Sequence, residues 1–247
     1  MSKKNHEKVA FITGAAKRIG AEIAAAFHQA GYLVIIHYRQ SSQEAQTQVE
    51  KFNSQRKHSA SCLFADLDRF SHYEKLIIKC ESVFNRLDVL INNASTFFPT
   101  TVGETTESHW DTLFNSNLKA PFFLSQAAAP FLAKNKGNII NIIDIHAKKP
   151  MKNYSVYSCA KAGLHMLTKS LALELAPVIR VNAIAPGHVI WPENKHAFSE
   201  AEKRVVLSET ALQKEISPKD IAQTALFLAE QSSITGQMIS VDGGRFI

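Results

Sequence analysis

The chain has 247 residues, a formal net charge of +6, 45% hydrophobic residues and 20% charged residues. This composition is typical of globular proteins and excludes fibrous, collagen-like and disordered classes. Its longest apolar stretch, residues 120–133, contains two prolines and falls short of the ~20 residues that cross a bilayer. The N-terminus also lacks the apolar core of a secretory signal, so we expect a cytoplasmic protein with no membrane partner.

The basic charge does not by itself identify a partner. Lysines and arginines are scattered along the chain, and no helix-turn-helix, zinc-finger or RNA-binding signature is present, so no nucleic-acid partner is expected. Cys62, Cys80 and Cys159 show no C-x-x-C spacing. This pattern predicts reduced, structural thiols and no metal site.

Short aliphatic runs alternate with longer amphipathic stretches, which predicts an α/β fold with a Rossmann-like, doubly wound parallel sheet. Seven strands are predicted, at residues 9–13, 33–38, 61–64, 89–92, 138–143, 179–184 and 238–241. Helices are predicted at residues 19–30, 42–53, 72–85, 107–134, 154–176 and 218–230, the fourth being bent or broken near Pro121.

One segment does not fit the alternation. Residues 191–217 are predicted to be an insertion beside a ligand cleft. Because no linker, composition break or repeat divides the chain, we expect a single domain over residues 1–247.

The first predicted strand runs into Thr13-Gly14-Ala15-Ala16-Lys17-Arg18-Ile19-Gly20 and then a helix, the context of a loop that binds a dinucleotide pyrophosphate. The second strand ends in His37-Tyr38-Arg39-Gln40-Ser41, without the carboxylate that usually holds the ribose of NAD. Arg39, Ser41 and Arg18 are candidate donors to a 2′-phosphate, which predicts NADPH as the cofactor. The alternative is that Arg39 is a solvated surface charge.

Further motifs follow in a fixed order along the chain. They are Asn92-Asn93-Ala94, Tyr157-x-x-x-Lys161, Arg180-Val181-Asn182, Pro186-Gly187, Thr235-Gly236 and Val241-Asp242-Gly243-Gly244. Together with the glycine loop, this set resembles the short-chain dehydrogenase/reductase family over essentially the whole chain.

Tyr157 and Lys161 stand four residues apart, on one face of a predicted helix. We expect the ammonium group to approach the phenol and to lower its pKa, which would make Tyr157 a proton donor near neutral pH. The family resemblance implies that Lys161 also holds the nicotinamide ribose and that Asn117 supports a proton-relay water.

Three residues depart from the common family pattern. Asp144 stands 13 residues before Tyr157, where the family has a serine that bonds a substrate carbonyl oxygen. Arg18 replaces a glycine of the cofactor loop, and Ser95 replaces the glycine after Asn-Asn-Ala. A carboxyl group beside a phenol favours reduction of a C=N bond over that of a ketone. The alternative is a carboxylate that only orients Tyr157 or its loop.

Phe97 adds a flat face for a planar heterocycle. With these departures the chain resembles pteridine reductases, and its Tyr38-Arg39 and Asp242-Gly243-Gly244-Arg245 segments are similar to those of dihydromonapterin reductases. This resemblance implies NADPH-dependent reduction of pterins or dihydropterins, with folates as further candidates, in a homotetramer. The implied substrate-binding residues, together with two predicted to shape the side-chain pocket, are Arg18, Ser95, Phe97, Asp144, Tyr157, His188 and Trp191.

The cofactor contacts include Asp66, which the resemblance implies near the adenine. The predicted cofactor-binding residues are Gly14, Lys17, Arg18, Ile19, His37, Tyr38, Arg39, Ser41, Asp66, Leu67, Asn93, Ala94, Ser95, Tyr157, Lys161, Pro186 and Gly187. Two other functions stay open: a carbonyl-reducing member such as a 3-oxoacyl carrier-protein reductase, and a non-catalytic protein that senses NADP(H).

Overall fold

The computed structural model of the chain describes residues 7–189 and 199–247. Within these residues seven strands form one parallel sheet: β1 (Val9–Ile12), β2 (Leu33–Tyr38), β3 (Ala60–Phe64), β4 (Val89–Asn92), β5 (Asn138–Ile142), β6 (Arg180–Pro186) and β7 (Met238–Val241). Their order is β3-β2-β1-β4-β5-β6-β7. The predicted α/β fold with a doubly wound seven-stranded parallel sheet is confirmed.

Eight α-helices connect the strands in the described part of the chain. They are α1 (Arg18–Gln29), α2 (Ser42–Gln55), α3 (Tyr73–Phe84), α4 (Glu107–Phe114), α5 (Ala120–Lys134), α6 (Ser155–Glu174), α7 (Glu200–Ser208) and α8 (Pro218–Glu230). The predicted ends are accurate to two residues or better, except in the fourth predicted helix. Helix α7 lies within the predicted insertion, of which residues 191–198 are outside the described residues.

The fourth predicted helix is interrupted earlier than expected. A π-helical turn, Asn115–Lys119, separates α4 from α5, whereas Pro121 occupies the start of α5. Proline is tolerated in the first turn of a helix because an amide there has no partner within the helix. The interruption therefore comes from the π-turn and not from the proline, and it brings Asn117 towards the carboxyl edge of the sheet.

The alternation of side chains along the strands builds two apolar layers. In β1, Ala10 and Ile12 pack with α1, α2 and α8, whereas Val9 and Phe11 pack with α3 and α5 on the other face. All four side chains are fully buried. The sheet is thus covered on both faces, as parallel sheets require.

The strand order places a crevice at the centre of the sheet. Strand β1 pairs with β2 on one side and with β4 on the other, so the chain reverses its direction of winding between them. In open α/β sheets, the carboxyl ends of the strands at this reversal form the usual ligand site. The loops after β1, β4 and β5 meet there.

Candidate active site

A cleft of about 580 Å³ lies at the carboxyl ends of the central strands. Most of the predicted site residues line it, although they come from the ends of six different strands and from the segments that follow them. Those that line it are Gly14, Lys17, Arg18, Ile19, His37, Arg39, Leu67, Asn93, Ala94, Ser95, Phe97, Asp144, Tyr157, Lys161, Pro186, Gly187 and His188.

Four of the predicted residues are placed elsewhere by the structure. Tyr38, Ser41, Asp66 and Asn117 are not among the residues that line the cleft. Tyr38 packs against Phe64 with ring centroids 6.0 Å apart, and Ser41 precedes α2. Trp191 lies outside the described residues.

The glycine loop approaches its neighbours too closely for larger residues. Gly14 has a φ of +60°, and a Cβ atom there would lie 2.9 Å from the Cα atom of Ala94. At Gly20 a Cβ atom would lie 2.5 Å from the carbonyl oxygen of Gly14. Both glycines are therefore required for the turn from β1 into α1.

The His37 side chain makes a hydrogen bond to the glycine loop. Its Nδ1 atom accepts a hydrogen bond from the Gly14 amide at 3.0 Å, and its Nε2 atom is 3.1 Å from the carbonyl oxygen of Ala65. Because Nδ1 is the acceptor, the ring is neutral and Nε2 carries the proton. Burial lowers the pKa of His37 to about 4. Both ring nitrogens thus contact backbone groups of the protein.

Asn93 and Thr13 brace the same turn. The Asn93 amide group donates to the carbonyl oxygens of Thr13 and Gly14 at 2.9 and 3.0 Å. In return, the Thr13 hydroxyl accepts from the backbone amides of Asn93 and Ala94 at 2.9 and 3.0 Å. Four hydrogen bonds therefore join the loops after β1 and β4 at the cleft.

Exposed cations lie at the opening of the cleft, beside the glycine loop. Lys17 pairs with Glu44 at 2.6 Å, and Arg39 pairs with Asp68 at 2.8 Å. Arg18 has a φ of +57°, in the left-handed region where glycine is favoured. The arginine is therefore held there at a cost in backbone strain.

Asp144 and Tyr157 are in direct contact. The Tyr157 hydroxyl donates to Oδ2 of Asp144 at 2.8 Å, and Oδ1 of Asp144 accepts from the His146 amide at 2.8 Å. Both carboxylate oxygens are thus acceptors. The expected lowering of the Tyr157 pKa is wrong: burial first, and then the Asp144 charge and hydrogen bond, raise the pKa well above its usual value. The phenol is therefore held in its protonated form.

Lys161 lies beneath Tyr157. It is only 2% exposed, its Nζ atom donates to the carbonyl oxygen of Ile142 at 3.1 Å, and it is 5.7 Å from the centre of the Tyr157 ring. Burial lowers the pKa of Lys161 to about 8, against an opposing effect of Asp144. The spacing of four residues therefore brings the two side chains together on α6, as predicted.

Asn117 sits behind this group on the π-helical turn. Its Nδ2 atom donates to the carbonyl oxygens of Thr96 and Leu113, each at 2.9 Å. Its Oδ1 atom is buried and has no hydrogen-bond partner among the described residues. A buried acceptor of this kind is usually satisfied by an ordered water. The side chain thus fits the predicted support of a water.

Phe97 is held between two aromatic rings. It stacks on Tyr154 with centroids 4.6 Å apart and an interplanar angle of 15°, and it meets Tyr157 edge-on at 4.9 Å. Phe97 is nevertheless 40% exposed. Tyr154 was not predicted as part of the site.

The sequence did not predict eleven of the residues that line the cleft. They are Gly20, Asp68, Thr96, Ser116, Ile142, Ile143, Ile145, His146, Met151, Val189 and Arg245. Several of these flank a predicted residue by one or two positions, which is a signal that could have found them. Met151 has no such signal, and Arg245 lies at the far end of the chain from the cofactor loop.

The residues present fit a dinucleotide cofactor. In the described structure, α1 has neither an acidic residue in its first turn nor a side chain that caps it. The first turn of α1, which lines the cleft, is the positive end of the helix, and a pyrophosphate can bind there. Lys17 and Arg39 add positive charge beside that end.

In residues 7–189 and 199–247, no helix is both long and apolar enough to span a membrane. The same residues contain no group of three or more histidine, cysteine, aspartate or glutamate side chains that could hold a metal ion.

Comparison with known proteins identifies the family. Residues 14–245 match the family described as enoyl-(acyl carrier protein) reductase. The chain is 35% identical to pteridine reductase 1 of Leishmania tarentolae, over 96% of this chain and 95% of that protein. It is 34% identical to a 3-oxoacyl-[acyl-carrier-protein] reductase of Staphylococcus aureus, over 97% and 98%. An uncharacterized oxidoreductase of Methylorubrum extorquens is 36% identical, over 96% and 97%. The chain therefore belongs to the short-chain dehydrogenase/reductase family of NAD(P)-dependent oxidoreductases.

Proposed function

We propose that the protein is an NADPH-dependent pteridine reductase that reduces pterins and dihydropterins, with dihydrofolate as a further candidate substrate. The observation that carries this proposal is the 2.8 Å hydrogen bond between the Tyr157 hydroxyl and the Asp144 carboxylate. The 35% identity between this chain and a pteridine reductase supports the same substrate class. The 3-oxoacyl carrier-protein reductases are nearly as similar, so identity alone does not decide between the two.

The carboxylate makes the site a poor one for ketones. Reduction of a ketone develops negative charge on the carbonyl oxygen, and hydrogen-bond donors must surround that oxygen. Asp144 instead presents an acceptor next to Tyr157, and an ionised carboxylate would repel the developing charge. A pterin ring nitrogen takes up a proton in the reaction, which a phenol bonded to a carboxylate can supply.

Tyr157 is the proposed proton donor. Its raised pKa keeps the hydroxyl protonated at neutral pH, so the proton is present when it is needed. When the cofactor is bound, its dihydronicotinamide supplies the hydride. As the proton leaves, the nearby Lys161 ammonium stabilises the phenolate. A proton from solvent then returns to Tyr157 by way of the Asp144 carboxylate, which is its hydrogen-bond partner.

The substrate ring is proposed to lie against Phe97. Tyr154 stacks on one face of Phe97, which fixes the ring without closing it off, since 40% of its surface stays exposed. Aromatic faces stack well on planar heterocycles. Arg18 and Ser95, which line the same cleft, are the proposed polar contacts of the pterin. His188 lines the cleft as well and is the proposed contact for the pterin side chain.

Parallel assays test the proposal. Purified protein is supplied with NADPH and, separately, with dihydrobiopterin, dihydromonapterin, dihydrofolate and an acetoacetyl thioester, and NADPH oxidation is followed by absorbance. We expect turnover of at least one pterin. Turnover of the thioester alone would instead establish the second candidate, a carbonyl reductase, which the 34% identity to 3-oxoacyl carrier-protein reductases favours.

The homotetramer implied by the family resemblance remains part of the proposal. Light scattering on the purified protein measures the mass in solution, and the chain mass of 27.4 kDa sets the unit. A mass of about four chains agrees with the prediction.

A further inference from the structure

The cofactor end of the cleft contains a carboxylate that a phosphate-binding site does not need. Asp68 lines the cleft together with Arg39, and its Oδ2 atom is 2.8 Å from Nη1 of Arg39. The cation that is proposed to bind the 2′-phosphate of NADPH is therefore already in an ion pair. We propose that Asp68 sets the cofactor preference by competing with this phosphate for Arg39; this inference rests on the proposed use of NADPH.

Asp68 is better placed for this competition than the neighbouring Asp66. Oδ1 of Asp66 accepts from the Asp68 amide at 3.2 Å, and Oδ2 lies 3.5 Å from Nε of Arg69. Asp66 is 3.9 Å from Arg39 and does not line the cleft. It therefore shapes the turn after β3, whereas Asp68 directs its charge to Arg39.

The two cofactors respond differently to this carboxylate. A phosphate close to Arg39 must either displace Asp68 or lie beside a like charge, and both cost binding energy. NADH carries a hydroxyl at the same position, which can donate a hydrogen bond to a carboxylate. Asp68 thus weakens NADPH binding without weakening NADH binding. It therefore reduces the preference for NADPH over NADH that Arg39 creates.

The expected effect is moderate because the ion pair is partly solvated. The Arg39 side chain is 46% exposed and the Asp68 side chain 35% exposed. Exposed ion pairs contribute up to about 1 kcal/mol, which corresponds to about a fivefold change in affinity. Salt screens such pairs, so the effect is largest at low ionic strength.

Binding measurements without substrate test the inference. The dissociation constants of NADPH and NADH are measured by fluorescence titration for the wild type and Asp68→Asn. We expect Asp68→Asn to bind NADPH about threefold to fivefold more tightly, and NADH no more tightly. An unchanged or weaker NADPH affinity would overturn the inference.

Three further variants test whether the effect comes from the ion pair. Arg39→Ala is expected to weaken NADPH binding, and Asp68→Asn added to it is expected to have no further effect; a gain that persists without Arg39 would overturn the inference. Glu7→Gln also removes a carboxylate from an arginine pair, with Arg56, but outside the cleft. It is expected to leave both affinities unchanged. Because no pterin is present, failure of the proposed reaction is seen separately, in the turnover assays.

Discussion

The bottom of the cleft and its opening are built from different kinds of polar contact. The cleft floor, which we define as His37, Tyr157 and Lys161, has side chains that are at most 4% exposed. The cleft rim, defined as Lys17, Arg18 and Arg39, has exposed side chains, two of them in ion pairs with carboxylates. Both regions line the same cleft.

The two regions differ in how strongly the protein affects their charged groups. On the floor, burial moves the pKa of each of the three groups, and the direction depends on which form is charged. On the rim, water and salt screen the charges, so single changes adjust affinity by small factors. Substitutions on the floor are therefore expected to have larger effects than those on the rim.

Removal of the phenol hydroxyl is the strongest test of the floor. Tyr157→Phe is expected to lower pterin turnover by about 10²–10⁴-fold, because the general acid is lost. NADPH oxidation with dihydrobiopterin measures this loss, and NADPH binding by fluorescence shows whether the cleft is intact. A loss of less than about tenfold with normal NADPH binding would contradict the role of Tyr157.

The floor also predicts sensitivity to acid. The pKa of His37 falls from 6.5 to about 4 on folding, so between these values the unfolded chain binds more protons than the folded one. Stability is therefore complete above pH 6.5 and is lost as the pH falls towards 4, by about 3 kcal/mol from this residue.

The variant His37→Asn isolates this contribution. Asparagine can still accept from the Gly14 amide but does not titrate, so chemical denaturation between pH 6.5 and 4 should give a smaller loss of stability than in the wild type. His188, whose pKa burial also lowers to about 4, accounts for part of the remainder. The exposed His58→Asn is the control and should keep the wild-type slope; an unchanged slope in His37→Asn would refute the assignment.

Asp144 lies at the boundary between floor and rim, since it is half-buried. Asp144→Ser restores the residue common in the family, and we expect pterin turnover to fall by about 10–100-fold. Because the Asp144 charge raises the pKa of Tyr157, its removal should also shift the basic limb of the pH profile of kcat to lower pH. Full pterin turnover with an unshifted profile would show that the carboxylate takes no part in the reaction.

The sequence predicted the sheet and most of the cleft because both depend on local spacing. The hydrophobic runs placed the strands, and the glycine loop and the four-residue spacing of Tyr157 and Lys161 placed side chains at one edge of the sheet. The catalytic and binding roles of these residues stay predictions. The membership of the family, by contrast, follows from the comparisons.

Properties that depend on distant parts of the chain were not predictable. The pKa of Tyr157 is raised because folding buries the phenol beside Asp144, and spacing on a helix contains no information about burial. The Arg39–Asp68 pair joins the loops after two strands, 29 residues apart. The sequence predicts a break in the fourth helix near Pro121, because proline is a recognisable signal for a helix break. The helix is in fact interrupted at Asn115–Lys119 by a π-turn, which has no such signal in the sequence.

The smallest expected effect is at Arg18 on the rim. Glycine adopts a φ of +57° without strain, so Arg18→Gly is expected to stabilise the protein by about 0.5–1 kcal/mol, even though glycine also favours the unfolded chain. The exposed Lys136→Gly is a matched control, because it too removes a cation at a positive φ, of +50°, but outside the cleft. Chemical denaturation should show a gain in both variants, whereas only Arg18→Gly should raise KM for dihydrobiopterin. An equal KM in the two variants would mean that the Arg18 side chain does not contact the substrate.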